Sequence, residues 1–206
     1  PVTVQGIVTS VAESNYNKAD VYGIKEVGGV IGSVINNGDS RIRVNLLKNA
    51  NKGQVAAESI VGGLVGKVDG NITISDCYNN ATVAALTASV AGGVIGRFNM
   101  DDKYASLSNC YNSGEIVAAN SMMLGGIAGY AESMILKSYI LANGIRGIGR
   151  AAGSASGSEI NIRILQKEKL RDFNGSIQKP FLIDEKNRND GYPILDSIEY
   201  VEGGAS

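Results

Sequence analysis

The sequence predicts an all-β fold, namely a β-solenoid of about five coils of 30–34 residues with a small C-terminal cap. Three observations predict it: a glycine motif recurs at near-constant spacing, a second motif precedes each copy, and apolar residues around both alternate with polar ones. Self-similarity at a fixed period is typical of repeat proteins, whose units stack on their neighbours. The repeats occupy residues 1–158 in this prediction, and the cap occupies residues 159–206.

The first motif consists of two glycines, two apolar residues and a further glycine. Its copies begin 34, 30 and 33 residues apart. They are Gly28–Gly32, Gly62–Gly66, Gly92–Gly96 and Gly125–Gly129. A chain that turns tightly, or stacks closely on its neighbour, favours residues without a Cβ. The motif therefore predicts a corner in every coil. A phosphate-binding loop is less favoured, because no GxxxxGK[ST] pattern occurs.

The second motif is clearest at Cys77–Val83 and Cys110–Ile116, where each copy opens with Cys-Tyr-Asn. Further copies are predicted to begin at Asn15, Leu47 and Ser138, and the copy at Leu47 carries two extra residues. We expect the recurring asparagines to form a ladder, since amides one coil apart can hydrogen-bond. These asparagines are residues 17, 49, 79 and 112.

Apolar residues near these motifs follow a period of two, as in Ile72 and Ile74, which alternate with Thr73 and Ser75. This alternation predicts two or three short strands per unit. A unit this small cannot bury its apolar face alone, and stacking several units solves the problem.

The cysteines of the second motif are predicted to point inward as buried free thiols rather than to form a disulfide. Their neighbours then point outward, because successive strand residues face opposite sides. The predicted stripe contains Tyr16, Tyr78, Tyr111 and Tyr139. One hypothesis is that these rings bind sugars or partner proteins. The favoured alternative is that the stripe packs under a loop or stacks on itself.

The turns that follow each glycine motif vary in length and are rich in acids and amides. Asp69, Asn99, Asp101, Asp102 and Glu132 are among them. Recognition of a ligand or weak surface Ca²⁺ binding is one interpretation of such turns. Ordinary solvated turns are the more common one. Beyond this weak calcium possibility, the sequence predicts no cofactor.

Several functions are excluded by composition. The chain has no histidine, so histidine-dependent triads and histidine-ligated metals cannot occur within it. Its net charge of −1, without a basic cluster, argues against a nucleic-acid partner. It contains no apolar run long enough to insert in a membrane. Ser176–Lys179 matches an SxxK pattern by chance, and the spacing shows no lyase-type cluster of acids and cations. We therefore expect a protein that is not an enzyme.

The residues after the repeats predict the cap. Leu165–Phe173 has the spacing of a short amphipathic helix that stops at Asn174-Gly175. Phe181–Ile183 and Tyr192–Leu195 are expected to form capping strands. A solenoid end exposes unpaired backbone groups, so some plug is expected there.

The two motifs in fixed order resemble the GLUG-motif repeats of bacterial secreted and surface proteins. The resemblance covers roughly residues 14–195, including the closing segment Asn189–Leu195. Such repeats occur in adhesin-like proteins and beside immunoglobulin A-cleaving metalloproteases. The resemblance implies an extracellular or cell-surface setting, membership of a longer surface protein, and adhesion to a glycan or a host or matrix protein. The alternative is a spacer or accessory module of a larger secreted protease or glycan-active enzyme.

Overall fold

The computed structural model describes residues 8–36, 39, 41–87, 90–99, 104–118, 123–141, 143–171 and 179–198. Within these ranges, each of the first four coils contains five short strands. Coil 1 contains β1 (Val8–Glu13), β2 (Tyr16–Asn17), β3 (Val21–Gly23), β4 (Glu26–Gly28) and β5 (Ile31–Ile35). Coil 2 contains β6 (Ile42–Leu47), β7 (Ala50–Asn51), β8 (Val55–Ala57), β9 (Ile60–Gly62) and β10 (Val65–Asp69).

The later coils repeat this order. Coil 3 contains β11 (Ile72–Ser75), β12 (Tyr78–Asn79), β13 (Val83–Ala85), β14 (Val90–Gly92) and β15 (Ile95–Phe98). Coil 4 contains β16 (Ser106–Ser108), β17 (Tyr111–Asn112), β18 (Ile116–Ala118), β19 (Met123–Gly125) and β20 (Ala128–Ala131). The incomplete coil 5 contains β21 (Met134–Leu136), β22 (Ser138–Leu141) and β23 (Ile148–Ala151). Five strands per coil exceed the expected two or three, because strands of two or three residues are too short to show alternation in sequence.

Equivalent strands of successive coils pair in parallel, and this pairing builds five sheets that the chain visits in turn. Sheet A is β1-β6-β11-β16-β21, sheet C is β3-β8-β13-β18, sheet D is β4-β9-β14-β19, and sheet E is β5-β10-β15-β20-β23. Sheet B is β2-β7-β12-β17-β22 and is extended by β24 (Ile162–Leu165). The predicted all-β solenoid is confirmed.

The second motif of coil 2 begins two residues later than predicted. Asn51 pairs with Asn79, and Asn49 occupies the position of Cys77, whose Sγ accepts a hydrogen bond from the Asn49 amide at 3.3 Å. The predicted insertion before Val55 is therefore wrong. Two asparagines two residues apart both point to the same side of a strand, so only the strand pairing could decide between them.

The asparagine ladder forms along sheet B on the inner side of the coils. The Nδ2 atom of each asparagine donates to the Oδ1 atom of the asparagine in the next coil, at 2.7–2.8 Å. Its members are Asn17, Asn51, Asn79 and Asn112, separated by 34, 28 and 33 residues. The ladder satisfies buried amides that would otherwise cost about 1–3 kcal/mol each.

The glycine motif packs directly against this ladder. A Cβ on Gly63 would overlap the carbonyl oxygen of Gly93 and would lie 2.5 Å from Cγ of Asn79. Gly93 faces Asn112 in the same way. The two motifs recur together because each glycine leaves room for the asparagine of the next coil.

The interior contains two apolar cores. The larger contains the inward residues of sheets A and E, such as Leu46, Ile74 and Phe98. The smaller contains residues of sheets C and D, such as Val55 and Val61. Cys77 and Cys110 are fully buried free thiols in the larger core, as predicted. Burial, together with the adjacent Cys77, raises the pKa of the Cys110 thiol well above its usual value.

The C-terminal part begins with a 3-10 helix at Gly153–Asn161, which packs on the last strand of sheet A. Its residue Ser158 accepts a hydrogen bond from the Ile135 amide at 3.0 Å through Oγ. Strand β24 then pairs with β22, so parallel stacking extends beyond the predicted boundary at residue 158. The division into domains remains a prediction.

The remaining elements lie beside the solenoid. Helix α1 spans Lys167–Arg171, so the described helix is shorter than predicted, and its predicted end near residue 174 lies outside the described residues. Both predicted strands form, as β25 (Phe181–Leu182) and β26 (Ile194–Leu195), and they pair antiparallel, but their predicted capping position is wrong. This segment packs on the outer side of sheet B instead of across the end of the solenoid.

Candidate ligand-binding face

Three of the four predicted tyrosines form a continuous column on the outer side of sheet B, and Ala50 of coil 2 separates them from Tyr16. Tyr78 pairs with Tyr111, and Tyr111 pairs with Tyr139. The rings of Tyr78 and Tyr111 stack with centroids 5.0 Å apart and planes 4° apart. Tyr16, in the first coil, is half-buried.

This column does not face solvent, because Leu170 and residues of the segment 179–198 cover it. Phe181 meets the Tyr111 ring edge-on at 5.4 Å, and Leu170, Tyr192 and Ile194 complete the same apolar cluster. Tyr78 and Tyr111 have no exposed surface. The tyrosine stripe is therefore a packing surface. This agrees with the alternative that it packs under another segment and stacks on itself, rather than with an open ligand site.

Polar contacts fasten the covering segment in place. The Asn189 side chain donates to the Tyr111 hydroxyl at 2.8 Å, and that hydroxyl donates to the Pro193 carbonyl. Lys52 of coil 2 forms an ion pair with Asp190 at 3.0 Å. A ligand could reach the column only if these contacts were broken.

The acid- and amide-rich turns gather partly into one column at the end of sheet E. Asp69 accepts a hydrogen bond from Asn99 Nδ2 at 2.6 Å. Glu132 occupies the next coil, since its amide donates to the Phe98 carbonyl. Asp101 and Asp102, both candidate ligand residues, lie outside the described residues. Within the part of the chain that the structure describes, no three Asp, Glu, Cys or His side chains are grouped to hold a metal ion.

A second column, on the outer side of sheet E, was not predicted. Strand pairing aligns Lys67 with Arg97, Arg97 with Tyr130, and Tyr130 with Arg150. Each residue directly follows the last glycine of a coil's motif or, for Arg150, Gly149. Because the glycines are buried against the backbone of sheet D, the next residue along the strand is the first whose side chain faces outward. The position directly after the last glycine of each motif was therefore the sequence signal for this column.

We call these two columns together the cation–tyrosine face. It consists of Lys67, Asp69, Arg97, Asn99, Tyr130, Glu132 and Arg150. The sequence spacing had shown no cluster of acids and cations, but the stacking of the coils creates one. Residues about 30 positions apart become neighbours when parallel strands pair at about 4.8 Å.

The carboxylates of the face have partners. Lys67 Nζ lies 2.6 Å from Asp69 and 3.3 Å from Glu26. Burial alone would raise the pKa of Asp69, but hydrogen bonds from Lys67 and Asn99 outweigh it and lower the pKa. The Tyr130 hydroxyl donates to Glu132 at 2.6 Å, and this bond, with some burial, raises the pKa of Tyr130.

The two arginines of the face have fewer polar partners than its carboxylates. The Arg97 guanidinium lies over the Tyr130 ring at 5.0 Å, and its covered Nε has no hydrogen-bond acceptor. Arg150 is exposed on the neighbouring strand β23. Neither arginine forms an ion pair with any residue that the structure describes. The face therefore combines satisfied acceptors, an aromatic ring and two available cations.

These features define a class: a parallel β-solenoid repeat protein with a polar outer face on one sheet. The family model of the GLUG motif matches residues 57–84. Because Ala57 pairs with Ala85, this match spans one complete coil and includes both recurring motifs. One coil of this repeat protein therefore carries a GLUG motif.

No curated protein and no solved structure matches the chain significantly. Across the described ranges, no helix is both long enough and apolar enough to cross a membrane.

Proposed function

We propose that this chain is a non-enzymatic, extracellular repeat domain of a bacterial surface protein, which adheres to a glycan or a host protein through the cation–tyrosine face. The GLUG motif supports the coarser part of this proposal, a repeat domain of a larger protein. The surface setting and the adhesive role are what the family resemblance implies.

One observation supports the choice of face. Of the two columns that contain tyrosines, the one on sheet B is covered by the chain itself, whereas the one on sheet E has an exposed arginine and half-buried partners. A sugar ring offers hydroxyl groups and an apolar face, which require donors, acceptors and an aromatic surface. Arg97, Glu132 and Tyr130 supply one of each within adjacent coils.

The stacking of the coils also suits adhesion. Parallel strands hold the side chains of the face at fixed positions, so little conformational entropy is lost on binding. The face extends along the solenoid axis, which matches an extended ligand better than a small molecule.

Binding of the labelled domain to an array of glycans and extracellular-matrix proteins tests this proposal. We expect a saturable signal that the double substitution Arg97→Gln/Arg150→Gln weakens and that Arg163→Gln leaves intact. Arg163 is a matched control, since it is an exposed arginine on β24 of sheet B. All variants should retain the unfolding temperature of the unsubstituted domain.

Three outcomes would overturn the proposal. A signal that is equally weakened by Arg163→Gln would show that binding does not depend on this face. Silence across the array would favour the spacer or accessory function. Release of shortened products from the polysaccharides would show that the chain is an enzyme.

A further inference from the structure

The proposed function leaves open what kind of ligand the face selects, and the arrangement of charges narrows the choice. The face and the adjacent Glu26 contain three cations and three carboxylates, so its formal charge is zero. The pairing within it is uneven. Lys67 is held between Glu26 and Asp69, and Glu132 is held by Tyr130. Each carboxylate of this set thus already has a hydrogen-bond or ion-pair partner, whereas Arg97 and Arg150 are the cations of the face without an ion pair among the described residues.

These two arginines are arranged as a pair along the solenoid. Arg97 lies on β15, Arg150 lies on β23, and Tyr130 on β20 lies between them. Two inter-strand spacings of about 4.8 Å place their backbones about 10 Å apart. The pair is thus suited to a ligand that carries negative charges at intervals along an extended chain.

The chemistry of the arginine side chain points the same way. A guanidinium binds carboxylate and sulfate groups with two parallel hydrogen bonds and binds neutral hydroxyls less strongly. The Tyr130 ring holds the Arg97 side chain at 5.0 Å, so part of its entropy is already lost before binding. The chain as a whole has a net charge of −1, so the attraction is local to this pair.

We propose that Arg97 and Arg150 make the face selective for acidic polysaccharides, whose carboxylate or sulfate groups the two guanidiniums bind. This inference rests on the proposed adhesive function and adds the class of ligand to it. A regular polymer fits better than an acidic protein segment, because the coils present the pair with a fixed spacing on a rigid sheet.

Matched ligands that differ only in charge test this proposal. We expect the domain to bind polygalacturonate at least about tenfold more tightly than its methyl ester, because each charged hydrogen bond is worth more than a neutral one. Arg97→Gln/Arg150→Gln should remove most of this preference, while Arg163→Gln should change affinity by less than about twofold. Heparin and its desulfated form, measured in the same way, distinguish sulfate from carboxylate as the group bound.

The contrary outcomes separate this inference from the proposed function. Equal binding of polygalacturonate and its methyl ester would overturn acidic selectivity and leave adhesion standing. Binding of polyglutamate as tight as that of polygalacturonate would overturn the assignment to a polysaccharide and favour an acidic protein partner. Absence of binding to any glycan or protein would overturn both.

Discussion

The outer sides of sheet B and sheet E both contain tyrosine, but the first is covered by the chain and the second is not. On sheet B the column is purely aromatic in coils 3–5, and the C-terminal segment buries it. On sheet E a single tyrosine stands among cations, and the described residues leave Arg150 exposed beside it. A continuous apolar column gains free energy from being covered, at about 25 cal/mol per Å² of apolar surface. A column of charges would lose hydration if it were covered.

The comparison teaches that an aromatic repeat is weak evidence for a ligand site. Stacked tyrosines supply the apolar area that holds the C-terminal segment, with Asn189 and Phe181 as its main contacts. On the outer side of sheet E, charged side chains that could be buried only with a partner remain available for a ligand.

The largest expected effect is a difference in the free energy of unfolding between a substitution on the outer side of sheet B and one on the outer side of sheet E. Tyr111→Ala should lower the free energy of unfolding by about 3–5 kcal/mol, because a fully buried ring and its hydrogen bonds are lost. Tyr130→Ala should cost no more than about 1 kcal/mol, since this ring is half-exposed. Denaturant unfolding of both variants measures the difference. Equal losses of stability would show that the covered tyrosine column of sheet B is not part of a core.

A smaller loss of stability is expected from substitutions in the asparagine ladder, on the inner side of sheet B. Asn79→Ala should destabilise the fold by about 1–3 kcal/mol, because it removes bonds to Asn51, Asn112 and the Ala81 carbonyl. The matched control is Asn17→Ala at the half-buried first rung, where the expected loss is about 1 kcal/mol or less. A larger loss at Asn17 would contradict a ladder that is strongest in the middle coils.

The smallest effects concern the pH dependence of stability. Burial raises the pKa of Tyr139 and Tyr192, and the nearby Arg163 and Arg171 offset this only partly. A raised folded-state pKa gives stability that is complete below the unfolded value, about 10, and is lost as pH rises above it. Stability measured across this range should fall in alkali, and Tyr192→Phe should make the fall shallower.

The stability contributed by the cation–tyrosine face should also change in acid. The lowered pKa of Asp69 gives stability that is present above its ordinary value of 3.8 and is lost as pH falls below it. Asp69 is partly exposed, so the effect should be small. If Asp69→Asn left the fall in acid unchanged, the assignment of this fall to Asp69 would be wrong.

Much of the fold could be predicted because it depends on local patterns that repeat. The glycine motif, the Cys-Tyr-Asn motif and the alternation around Ile72 and Ile74 determined a parallel solenoid and its buried thiols. A pattern that recurs once per coil specifies which residues stack, because each coil packs only on its neighbours.

Only the tertiary structure decided the register at Asn49, the cover over Tyr111 and the face around Arg97. Asn49 and Asn51 are equivalent in a period-two pattern, so strand pairing had to distinguish them. The cover comes from Leu170 and residues of the segment 179–198, which no repeat relates to the tyrosines. Short-range pattern determines which way a side chain points, but what lies against it depends on contacts between distant parts of the chain.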